Sequence, residues 1–182
     1  MKQHSIYEIG TFFSTTLDLV HMGLVMNRKR LGILERMEEI MSMCHRNHPV
    51  YEQFSSFSVV LYTLGITDGG PFDCPDFLSF GDVDQEGAAR ILYEHFTEIS
   101  QDDIPLGYHI TANAVTYLLV VGDPLYPRHF AVVANQQSQR PYFSKLPFFG
   151  AGFDTLAELK NEFLGIDGIG KEDFHFYKST CN

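Results

Sequence analysis

The sequence predicts an α+β fold in one domain spanning residues 1–182: a helical N-terminal half packed against an antiparallel sheet, with one or two C-terminal helices. Three observations predict it. Apolar residues recur every three or four positions in the first third of the chain, the pattern turns β-rich after Pro105, and helical spacing returns beyond Asp154. A chain of 182 residues can bury roughly 70% of its unfolded surface, and 45% hydrophobic content supplies an ordinary core.

Phe13, Leu17, Val20, Leu24, Leu31, Leu34, Met37 and Met41 form a helical stripe over residues 10–46, as one helix or as two broken near Asn27. Pro49 suits the first turn of a second helix. Tyr51, Phe54, Phe57, Leu61 and Leu64 continue it and Gly65 ends it, with the β-branched pair Val59–Val60 making a strand the alternative. Asp, Gly, Pro and Cys around Phe72, Phe77 and Phe80 read as a loop pinned by aromatic side chains, and a third helix follows over 84–100. Residues 107–121 are β-rich, Gly122-Asp123-Pro124 breaks them, and 129–134 gives another strand. Residues 141–149 read as a short aromatic strand or loop. Asp154 is an N-cap for a helix through Leu164, and 173–178 forms a final short strand or helix. No internal repeat or linker divides the chain.

Cys44, Cys74 and Cys181 are too few and too uneven for a disulfide framework, and neither a leader nor a membrane span is evident. Reduced thiols and a cytoplasmic location are expected. A pI near 5.1 opposes direct nucleic-acid binding, which draws its affinity from Lys and Arg. It favours a basic protein partner instead.

The charge is concentrated. Asp68, Asp73, Asp76, Asp82, Asp84, Glu86, Glu94, Glu98, Asp102 and Asp103 face a single cation in that stretch, Arg90, leaving −9 there against −10 for the whole chain. Clustered carboxylates repel one another, and a basic partner gains from their field. Phe72, Phe77, Phe80, Tyr93 and Phe96 are interleaved with them, as aromatic anchors inside a negative rim would be.

Other motifs are weaker. Asp82-Val83-Asp84-Gln85-Glu86-Gly87 begins like a calcium loop, but position twelve falls on Tyr93, so a helix cap is the simpler role. His95-x-Thr97 and His109-x-Thr111 match the triplet of two-histidine phosphoesterases, yet they lie only 14 residues apart and the first sits on a predicted helix. The Cys44, His45 and His48 cluster puts two candidate ligands at i and i+4, short of the four of a zinc site, and Cys74 and His175 could complete it only by a tertiary accident, so no metal is expected. Glu158-Leu159-Lys160 lies on an amphipathic helix where the lysine is solvated. The glycines of residues 165–170 make a flexible turn, since Asp167, Glu172 and Asp173 would repel a phosphate held there.

The expectation is a non-enzymatic acidic inhibitor, without cofactor, that blocks a nucleic-acid-acting enzyme through the carboxylate-rich stretch. In kind it would compare with anti-CRISPR, anti-restriction and toxin-immunity proteins. The alternative is a small hydrolase or phosphoesterase using His109 and Thr111, with His95 or His129 as the second histidine.

Overall fold

The computed structural model describes residues 32–44, 54–66, 82–147 and 149–180. The chain divides after Gly32, and every described element belongs to the unit that follows. In chain order these are α1 (Ile33–Met43), α2 (Ser56–Thr63), α3 (Gln85–His95), β1 (Phe96–Ile99), β2 (Tyr117–Val121), β3 (His129–Val133), β4 (Tyr142–Leu146), β5 (Gly150–Asp154), α4 (Leu156–Phe163) and β6 (Phe174–Ser179). The fold is α+β, as the sequence predicts.

One sheet organises the unit, in the order β1-β6-β2-β3-β4-β5, with every neighbouring pair antiparallel. Strands β2 to β5 form a meander. After α4 the chain crosses back, so that β6 lies between β1 and β2. The register puts Leu118, Val120, Phe130, Val132, Phe143 and Lys145 on one face and Leu119, Val121, His129, Ala131, Tyr142 and Ser144 on the other. Helix α2 covers the first face, with Phe57 meeting Phe130 edge-on at 4.9 Å. Helix α4 covers the second, with the Phe163 ring tilted against His129 at 4.7 Å and Lys160 over Phe174. Layers on both faces explain why all residues of β2, β3 and β4 are buried, and why β2 reads Tyr-Leu-Leu-Val-Val without polar alternation.

Helix α2 is buried all round, between α1 and the sheet. Ser55 caps it by accepting from the Ser58 amide, and Gly65 at φ +70° closes it: its N–H donates to Tyr62 and that of Ile66 to Leu61. The helix, not the strand alternative, is what forms at Val59–Val60. Arg36 of α1 is buried against it, donating to the Tyr62 carbonyl at 2.7 Å with its guanidinium over the Tyr62 ring.

Three expectations need correction, and one strand had no expectation at all. The third helix stops at His95, and residues 96–99 form edge strand β1. Leu92, Phe96 and Ile99 fit helical spacing, but pairing of β1 with β6 wins because it continues the sheet. Residues 107–116 are not strand. The side chains of His109 and Asn113 bond to nearby backbone and favour a 3-10 turn at Ile110–Ala112, so β2 begins only at Tyr117. Residues 150–154, which include two glycines, form the edge strand β5, paired with β4 along its full length. Thr155, not Asp154, caps α4, through a reciprocal capping box with Glu158.

Candidate protein-binding surface

Seven of the ten predicted site carboxylates are described, and all seven are exposed: Asp82, Asp84, Glu86, Glu94, Glu98, Asp102 and Asp103. Asp68, Asp73 and Asp76 lie outside the described residues, as do Phe72, Phe77 and Phe80.

The seven do different things. Asp82 accepts from the Ser55 amide and hydroxyl at 2.9 Å each and from the Ser58 hydroxyl, tying the chain before α3 to the start of α2. Asp84 caps α3 by accepting from the Gly87 amide at 2.8 Å. Both carboxylates of the calcium-like segment thus serve helix starts. Glu86 and Glu94 project from the first and last turns of α3, with Arg90 exposed between them. On β1, Glu98 meets His175 Nδ1 of β6 at 2.9 Å. Asp102 and Asp103 sit on a 3-10 turn at Gln101–Asp103, where Asp103 accepts from the Ser100 amide. The run therefore follows one continuous path from α3 along the β1 edge of the sheet.

Of the aromatic anchors expected here, Tyr93 is exposed, whereas Phe96 is buried in the core and unavailable to a partner. Among the exposed apolar side chains that the sequence reading missed, which include Leu106 and Phe149, Leu125 and Tyr126 are adjacent in the β2–β3 turn. Their signal was legible: two prolines, Pro124 and Pro127, bracket two large apolar residues in a segment that cannot join a ladder.

The histidines are dispersed among different environments. His109 is half-buried and lines a 340 Å³ pocket with Asn135, Ser138 and Arg140, and no second histidine lines it. Its Nδ1 lies 2.8 Å from the Thr111 hydroxyl and accepts from the Thr111 amide at 3.3 Å. His95 is exposed at the end of α3 beside Glu94. His129 is 2% exposed beneath Phe163, and desolvation, with the nearby Lys145 cation second, pushes it down to about 3. Burial also pushes the Cys44 thiol up to about 11. His45, His48, Cys74 and Cys181 lie outside the described residues.

A 470 Å³ pocket at the start of α2 is lined by Ser55, Ser56, Asp82, Arg128, His129 and Lys145. A 580 Å³ pocket opens beside the β2–β3 turn, lined by Asp123, Tyr126, Arg128, Asp167 and Asp173 together with Gln85 of α3. Among the described residues no group of three or more His, Cys, Asp or Glu could hold a metal ion, and no helix is long and apolar enough to cross a membrane. Comparison with known proteins gives no matching family model, no matching curated protein and no matching solved structure.

Proposed function

We propose that this chain is a non-enzymatic inhibitor that binds and blocks a nucleic-acid-acting enzyme, in the manner of anti-CRISPR, anti-restriction or toxin-immunity proteins, through its carboxylate-rich surface. One observation carries the reading: the seven described carboxylates of residues 82–103 are all exposed and follow the chain from the start of α3 through β1 to the 3-10 turn, with Arg90 as the one Lys or Arg in that stretch. A positive groove built for a phosphate backbone would be attracted and occluded by such a path.

The test is the association rate with a partner captured from the source cell, identified by mass spectrometry and purified. Glu86→Gln, Glu94→Gln and Asp102→Asn combined remove three charges that hold no helix start. The triple variant should associate about tenfold more slowly at low salt, with the difference shrinking as screening shortens to about 8 Å. Glu38→Gln with Glu162→Gln is the control. Equal effects of the two sets, or no salt dependence, would sink the proposal. The hydrolase alternative predicts that His109→Ala abolishes a measurable activity, whereas the inhibitor reading predicts unchanged binding.

A further inference from the structure

The β2–β3 turn, residues 122–128, is held rigidly. Tyr126 N–H donates to the Asp123 carbonyl at 2.8 Å, Leu125 N–H to Asp123 Oδ1 at 2.9 Å, and Arg128 N–H to the Val121 carbonyl at 2.8 Å. Gln85 of α3 donates to the Pro127 carbonyl at 3.2 Å. Prolines fix φ at two positions, and Gly122 takes φ +93° with Arg128 packed against it. Yet this fixed turn leaves Leu125 71% and Tyr126 67% exposed. Apolar side chains on a preorganised turn lose little entropy when a partner covers them, and tyrosine is among the residues that dominate binding energy.

The adjoining 580 Å³ pocket gives the chemistry of the partner. Asp123, Asp167 and Asp173 line it, and its one cation, Arg128, is already ion-paired to Asp167. The remaining charge there is negative and shares the pocket with the Tyr126 side chain, a setting that suits a guanidinium both for carboxylate bonding and for stacking. We propose that this turn and pocket are the anchor of the binding surface: an arginine of a basic partner protein enters between Asp123 and Asp173, and the flanking apolar part of that partner packs on Leu125 and Tyr126. The inference rests on the acidic-binder reading and adds its anchor, since Gln85 makes the start of α3 continuous with this pocket. A net charge of −10 disfavours a second copy of the chain, an anionic lipid surface or nucleic acid as the occupant.

The experiment titrates a fluorescent oligo-arginine peptide against the full chain at low salt, with oligo-lysine in parallel, and maps the site by backbone amide shifts. Leu125→Ser with Tyr126→Ser removes the apolar display. Asp123→Asn with Asp173→Asn removes charge while keeping the acceptors for Leu125 N–H and Gly170 N–H. Each pair should weaken oligo-arginine about tenfold, with a smaller effect on oligo-lysine and unchanged thermal melting. Shifts should centre on residues 122–128 and 167–173, and Glu94→Gln with Asp102→Asn should change affinity less than twofold. Loss confined to that last variant, or shifts elsewhere, overturns the anchor and leaves the wider acidic surface standing. Absence of any binding overturns both. A concentration-dependent dimer that the Tyr126 variant abolishes would assign the face to a second copy and overturn the proposal.

Discussion

Asp82 shows how a surface carboxylate becomes structural. Its two oxygens take three donors from Ser55 and Ser58, across 24 to 27 residues of sequence, so they hold α2 and the approach to α3 together. Asp82→Ala should cost about 1–2 kcal/mol in denaturant unfolding, the scale of a lost helix cap, and Asp82→Asn less. His129 carries a pH signature. Above its ordinary pKa of 6.5 it is neutral folded and unfolded alike; below that the unfolded chain takes a proton that the folded site refuses until about 3. Stability should therefore fall as pH drops through this window, by about 1.4 kcal/mol per pH unit well below pH 6.5. His129→Phe keeps a ring against Phe163 and should flatten the slope between about pH 6.5 and 5, measured by urea titrations of both proteins. The sequence offered Asp82 as a cap for the helix that follows it and His129 as a strand residue or second catalytic histidine; the bond to α2 and the burial beneath Phe163 come from tertiary structure.

At the scale of elements, strands β3 and β4 pair only at Val132–Val133 with Phe143–Tyr142 and part towards the start of β3. There the Phe130 N–H donates instead to the Ser56 hydroxyl at 3.1 Å, so the first residue of α2 completes the backbone bonding of the sheet. Ser56→Ala would leave a buried N–H without its partner and should cost about 1–3 kcal/mol, checked by chemical denaturation. Gly122→Ala tests the turn. Its added Cβ would lie 2.9 Å from Arg128 Cγ, in a backbone region that L residues avoid. A loss of about 1–3 kcal/mol is expected by thermal unfolding.

At the scale of the molecule, the acidic run opposes the fold that carries it. Raising salt from low to physiological strength should raise the melting temperature, because self-repulsion is screened, while it slows association with a basic partner. Melting independent of salt would mean that the carboxylates are too well spaced to repel.

The sequence by itself determined the elements whose signal is local. Gly65 ends α2 because a left-handed residue closes a helix cheaply, and the valine-rich runs of β2 and β3 form strands because β-branched side chains fit a sheet buried on both faces. It also determined the charge of residues 82–103, since carboxylates on short polar segments stay in water. Tertiary structure decided the rest. Phe96-Thr97-Glu98-Ile99 could continue a helix or start a strand, and only β6, some 80 residues on, chooses between them. Two glycines in β5 gave no strand signal because its stability comes from the β4 ladder and not from its own side chains. The candidate site divided in the same way. The cap that Asp84 makes on Gly87 is local and was legible, whereas the hold of Asp82 on Ser55 and Ser58 depends on segments meeting in space, as does the sharing of one pocket by Tyr126 and Asp173, which spacing along the chain does not encode.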